Sequence, residues 1–268
     1  MRLNLRKTLF ILPNLFTLSS IFCGFYAVLL SAGPATEDDL YRAALLIVFA
    51  MFFDTIDGRV ARLTRTQSAF GVQIDSLADL VSFGVAPGVL VYKWSLHQLG
   101  FGGVLASFAF AACGAIRLAR FNVLAVSTSG APKKPGKYIL GLPIPGAAGI
   151  VVSLVAANHA VAGELPGAPA IVLGVVIALS FFMVSTIKFR SFKDVKLSWR
   201  SAIFVIVTIG TSVAVALRFH VSFALVWLLG CYITLGVVES VFSLSRRGLR
   251  GGRKSIPPPG EDDAPTRL

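Results

Sequence analysis

The chain has 268 residues, 55% of them hydrophobic and only 14% charged, with a net charge of +12 at neutral pH. A soluble domain carries about 25% charged residues, so this chain has too few to cover a water-facing surface; an all-α bundle of membrane helices is the class that remains. The positive charge does not indicate nucleic acid, because no soluble module with basic and aromatic residues interleaved is there to carry it.

In chain order, apolar stretches of helical length fall at Leu9–Ala32, Leu40–Ile56, Phe70–Trp94, Gly100–Leu118, Leu140–Ala162, Ala168–Ile187, Ser201–Leu217 and Val221–Leu244, eight candidate transmembrane helices. The first is too long, and too rich in Pro13, Asn14 and Thr17, for a cleaved signal peptide, so it is expected as a true span. With this count, all of the 25 basic residues except Arg42, Lys93 and Arg218 fall on one side. The other side holds Glu37, Asp38, Asp39 and Glu164. Positive charge marks the cytoplasmic face, so both termini are expected there, in a multi-pass protein of the cell membrane. An odd number of spans would scramble the asymmetry. The same basic face meets the anionic leaflet, where each Lys or Arg contributes about 1 kcal/mol of attraction.

Cys23, Cys113 and Cys231 lie in separate spans without metal-ligand spacing and read as packing residues. His97, His159 and His220 fall on the non-cytoplasmic side, and they and Glu239 read as interface residues. No internal repeat is visible. The Gly/Pro-rich, charged segment 246–268 is expected to be disordered.

One stretch resists the membrane reading. "FDTIDGRVARLTRTQSAFGVQIDSLADLVSFG", Phe53 to Gly84, holds four of the thirteen acidic residues: Asp54, Asp57, Asp75 and Asp79. A carboxylate at bilayer depth costs roughly 2.5–3.5 kcal/mol even on lenient scales. Asp54, Asp57, Gly58 and Ala61 fall on one helical face, and Gly71, Asp75 and Asp79 repeat the pattern on the next helix. Two antiparallel neighbours would point all four carboxylates into one pocket, where their repulsion calls for protons or cations. A cluster of hard oxygen donors without Cys or His suits Mg²⁺, Mn²⁺ or Ca²⁺, and four carboxylates can bridge two such ions for displacement at phosphorus. The small residues leave bare backbone for a phosphate-bearing ligand, and Arg62 offers a guanidinium fork. A proton or cation relay in a transporter would also account for the acids, though not for the glycines and arginine at fixed offsets.

The pattern Asp54-x2-Asp57-Gly58-x2-Ala61-Arg62-x8-Gly71-x3-Asp75-x3-Asp79 resembles the signature of the CDP-alcohol phosphotransferases at all of its eight positions. The resemblance implies a homodimeric membrane enzyme with a six-helix core that moves a phosphatidyl group from a CDP-linked lipid to an alcohol, releasing CMP. It also implies two divalent cations, with Asp54, Asp57 and Asp75 on the first and Asp79 joining the second and acting as general base. Gly58, Ala61, Arg62 and Gly71 would line the cytidine and diphosphate site. By the same resemblance, residues 1–187 would form the catalytic membrane core, 188–245 a basic loop and two added helices, and 246–268 the tail.

"LPNLFTLSSIFCGF", "IRLARFNV", "GLPIPGAAG" and "STIKFRSFKDV" together resemble the membrane-embedded phosphatidylserine synthases of that family, over roughly residues 8–195. That branch implies CDP-diacylglycerol and L-serine as substrates. Ser19-Ser20, Ile144 and Gly146 depart from its pattern and bear on acceptor preference. Arg117 and Arg120, one helical turn apart, are candidates for the serine carboxylate or a lipid phosphate with Asn122 beside them, or else ordinary cytoplasmic anchors. Lys188 and Arg190 are weaker candidates of the same kind. Glycerol 3-phosphate and inositol phosphate, the family's other acceptors, would welcome the same arginines.

Overall fold

The computed structural model describes residues 5–64, 66, 68–125, 138–161, 169–190, 210–212 and 230. Helix α1 (Leu5–Ala32) packs along α2 (Glu37–Thr64) as an antiparallel hairpin. A third rod runs from Ala69 to Trp94 in three parts: α3 (Ala69–Asp79), a π-helical segment (Leu80–Val85) and α4 (Ala86–Trp94). A short 3-10 turn (Leu96–Leu99) leads to α5 (Phe101–Ala125), followed by strand β1 (Tyr138–Leu140), α6 (Ile144–Ala160), α7 (Pro169–Val184) and strand β2 (Lys188–Arg190). α5 packs on α7 and α2 on α6. Ile47, Phe83, Leu90, Phe110, Ile144 and Met183 are fully buried where these helices meet. Phe22, Phe49, Phe108 and Phe181 stay exposed on the outside. Pro13–Ala32, Ala69–Trp94 and Phe101–Leu124 are long and apolar enough to cross a membrane, and α6 and α7 are shorter apolar helices. The protein is an all-α membrane protein.

Local chemistry sets the helix ends. Before α2, the Asp39 N–H donates to the Thr36 hydroxyl while the Thr36 N–H and hydroxyl donate to Asp39 Oδ2, a reciprocal cap. The Thr36 hydroxyl, with the N–H behind it, holds Asp39 below the usual carboxylate range. α3 starts at Ser68, whose hydroxyl accepts from the Gly71 N–H at 3.0 Å.

The π segment has a cause in Pro87. Its missing N–H leaves the Phe83 carbonyl without an α-helical partner, and its ring crowds that carbonyl. Widening the turn relieves the clash, and the Ala86 N–H reaches back to the Val81 carbonyl, five residues away. The extra residue turns Ser82, Phe83 and Gly84 inward in succession, and all three are buried. Gly24 of α1 meets this segment closely: a methyl on it would fall 2.7 Å from Ser82 Cα. The Ser82 hydroxyl donates to the Ser20 carbonyl at 2.9 Å across the same contact.

The boundaries depart from expectation in telling ways. α2 continues about two turns beyond Ile56, and α5 runs past Leu118 to Ala125, because helices carry their polar ends on after the apolar run stops. The fifth span does not begin at Leu140. Residues 138–140 pair antiparallel with 188–190, an unforeseen two-stranded ribbon. Gly141 then turns at φ 75, and Pro143 precedes the helix at Ile144. α7 stops at Val184 rather than Ile187, whose carbonyl accepts from the Gly141 N–H at 2.8 Å. His159 stacks on Tyr41 with ring centroids 4.2 Å apart and lies 3.9 Å from Asp38. The expected seventh and eighth spans, apart from residues 210–212 and 230, lie outside the described residues, as do the tail, Cys231, His220 and Glu239.

Candidate metal and nucleotide site

α2 and α3 bring the aspartates together as the spacing requires. Asp54, Asp57 and Asp75 each offer a carboxylate oxygen, all within 4.8 Å of one another. Asp79, one turn beyond Asp75, lies within hydrogen-bonding reach of Asp54. Asp57 is buried and the other three are half-buried. Among the described residues Asp79 Oδ1 is buried without a hydrogen-bond partner. An unsatisfied oxygen of this kind is costly unless something else satisfies it. Oxygens on one divalent ion at 2.0–2.6 Å can be at most about 4–5 Å apart, so the all-oxygen cluster fits a hard cation.

The small residues lie on the same two helices. Gly58 follows Asp57, and the Arg62 guanidinium folds back over it: a methyl on Gly58 would lie 3.5 Å from Arg62 Nη1. Ala61 is half-buried one turn along. Gly71 sits in the first turn of α3, tied by its N–H to Ser68.

On α5, Arg117 is buried, and its charge acts on Asp79. Arg120 is placed differently. Its Nη1 donates to the Val184 carbonyl at 2.7 Å and its Nη2 to the Ser185 carbonyl at 3.1 Å, so it caps the end of α7. The Asn122 amide donates to the Ser76 hydroxyl at 2.9 Å, clamping α5 to the turn between Asp75 and Asp79. Lys188 and Arg190 lie on β2, paired with Leu140 and Tyr138.

The sequence reading took Thr17 only as a polar residue of the first span, not as part of the site. Its hydroxyl lies 2.7 Å from Asp57 Oδ2, and the residue is buried on α1. The only available signal was its place in the opening "LPNLFTLSS" block. Nothing in the spacing of α1 announces a contact 40 residues away.

Comparison with known proteins bears on the same elements. The family model described as CDP-alcohol phosphatidyltransferase matches residues 10–184. A protein of Helicobacter pylori named CDP-diacylglycerol–serine O-phosphatidyltransferase is 38% identical over 234 residues, covering 87% of this chain and 92% of its own. One of the same name from Bacillus subtilis is 34% identical over 68% of this chain and 91% of its own. An archaetidylserine synthase of Methanothermobacter thermautotrophicus is 36% identical over 66% of this chain and 69% of its own. The match contains every residue of the aspartate cluster, which sets aside the cation relay of a transporter. The chain belongs to the CDP-alcohol phosphatidyltransferase family.

Proposed function

We propose that the protein transfers the phosphatidyl group of CDP-diacylglycerol to L-serine, forming phosphatidylserine and CMP. The observation that carries this reading is the convergence of Asp54, Asp57, Asp75 and Asp79 between α2 and α3, in a chain whose extensive relatives are named as serine phosphatidyltransferases. Two divalent cations, Mg²⁺ or Mn²⁺, held by these aspartates would neutralise the diphosphate and the departing CMP. Gly58, Ala61, Arg62 and Gly71 line the nucleotide and diphosphate side. Bare backbone at Gly58 admits the ligand, and Arg62, exposed above it, swings onto a phosphate.

Asp79 takes the proton from the serine hydroxyl. The serine oxygen then bonds the lipid-side phosphorus, and the bond from that phosphorus to the CMP oxygen breaks, its electron pair leaving with CMP. No enzyme nucleophile is required, because the substrate already carries its leaving group. Arg117, buried beside Asp79, holds the serine carboxylate or the lipid phosphate. Arg120 and Asn122 support it by fixing α5 against α7 and α3.

The charge asymmetry supports a site and termini on the cytoplasmic side, residues 1–187 supply the catalytic core, and the family supports a homodimer. Spans seven and eight with the loop before them, 188–245, are additions to that core, followed by the tail 246–268.

CMP release by the purified protein tests the reading, with CDP-diacylglycerol, Mn²⁺ or Mg²⁺, and serine, glycerol 3-phosphate or inositol phosphate in parallel. Metal-dependent release with serine alone is expected. Asp79→Asn should lose about 10²–10⁴-fold in kcat with its melting transition retained, as for removal of a general base. Release with a different acceptor alone would overturn the serine assignment.

A further inference from the structure

We propose that Thr17 on α1 is a positioning residue for the metal site, holding the Asp57 carboxylate in the orientation that cation binding requires. The inference rests on the reading of the aspartates as a divalent-metal site and extends it to a helix that carries none of them.

Thr17 and Asp57 are 4% and 5% exposed, so neither can exchange its contact for water. The Thr17 hydroxyl is 2.7 Å from Asp57 Oδ2 and 3.1 Å from the Pro13 carbonyl. A hydroxyl has one proton to give. In an ordinary helix a threonine gives it to the carbonyl one turn back. Here the closer acceptor is the carboxylate, at the short distance of a charge-assisted O–H···O⁻ bond. The β-branched side chain has few χ1 states, so the hydroxyl is held in place by α1 itself.

The consequence is directional. With Oδ2 engaged by α1, the carboxylate plane of Asp57 cannot turn freely, and a carboxylate oxygen of Asp57 is kept within 4.8 Å of those of Asp54 and Asp75. An untethered Asp57 would have to be oriented at the moment of binding. Outer contacts of this type typically change metal affinity or activity 10–100-fold when removed. The α1–α2 hairpin also carries the registration, because Ser20, one turn beyond Thr17, meets Ser82 of the π segment. α1 thus contacts the acid-bearing α2 and the π segment that directly follows Asp79 through buried hydroxyls.

The test is Mn²⁺ binding to the detergent-purified protein without substrates, followed by the loss of the free Mn²⁺ electron-spin-resonance signal. Thr17→Val keeps the shape and removes the donor, whereas Thr17→Ser keeps the donor and removes a methyl. Thr17→Val is expected to raise the Mn²⁺ dissociation constant 10–100-fold while still showing a cooperative metal-free melting transition, and Thr17→Ser to stay within about threefold of the parent. Equal loss in both variants, or none in Thr17→Val, overturns the proposal while the metal site stands. If the parent protein binds no Mn²⁺, the metal reading itself fails. Should Thr17→Val not fold, Thr17→Cys, with its weak donor, gives the same comparison: an intermediate affinity supports the tether, and parental affinity overturns it.

Discussion

Gly58 sits beside Asp57 in the middle of a helix, where glycine is normally a weakness. In a helix interior it costs about 1 kcal/mol relative to alanine, so its presence calls for a reason. Among the described residues a methyl there would meet the tip of Arg62, at an ordinary 3.5 Å. The reason proposed above is close approach of the bound nucleotide. Gly58→Ala is expected to raise stability by about 0.5–1 kcal/mol while raising the KM for CDP-diacylglycerol at least tenfold. Thermal melting and initial-rate kinetics on one preparation check both halves, and unchanged kinetics would remove Gly58 from the nucleotide site. The residues of this site were the legible part of the chain. Asp54, Asp57, Asp75 and Asp79 declare themselves by helical spacing and by the expense of acids in an apolar sequence. Thr17 does not, because a single hydroxyl on a long apolar helix has many uses and its partner is set by packing alone. Arg120 and Asn122 shared the arginine-rich signal with Arg117, yet spacing cannot tell a guanidinium facing a substrate from one capping a neighbouring helix.

At the scale of elements, α1 is located by a close approach. A methyl on Gly24 would fall 2.7 Å from the backbone of Ser82, and neither rod can yield there by turning a side chain. Gly24→Ala should therefore push α1 from the π segment, destabilising the protein by roughly 1–3 kcal/mol as overpacking does. It should also weaken Mn²⁺ binding through the displaced Thr17. A melting temperature equal to the parent's would show that α1 has slack at this contact. Since a long hydrophobic stretch has few alternatives, the apolar runs located the first six helices, four of them to within about four residues at each end, while α2 and α5 run on about two turns further. Helix ends beyond the apolar run were less legible, because polar residues such as Asp57 or Arg120 say nothing about whether the backbone continues. The ribbon of β1 and β2 escaped because strands of three residues have no measurable period.

For the molecule as a whole, α2 is the measuring rod. Its 28 residues are about 42 Å long, against a hydrocarbon core of about 30 Å. On the proposed topology, with the span counted from Leu40, the core would be crossed by about residue 59, so Asp54 and Asp57 would stand within about two turns of the boundary with water. A charged nucleotide can reach them there while its lipid tails stay in the bilayer. The proposed sidedness rests on Glu37, Asp38 and Asp39 at one end of this helix and Arg59 and Arg62 toward the other. In intact cells, a cysteine replacing exposed Asp38 is expected to react with a membrane-impermeant maleimide. One replacing exposed Leu63 should react only after lysis. The reverse pattern would invert the topology and put the nucleotide site on the wrong face.

The π segment carries a consequence for how this rod is read across relatives. A π turn holds one residue more than an α path through the same space. The half bearing Asp75 and Asp79 and the half from Ala86 to Trp94 are thus out of phase by a single insertion. A homologue without that residue would need a one-position gap between Leu80 and Val85, and an ungapped alignment would pair its outward-facing side chains with inward-facing ones here. Grafting the outer half of one family member onto the acidic half of another should succeed only where the splice respects that count.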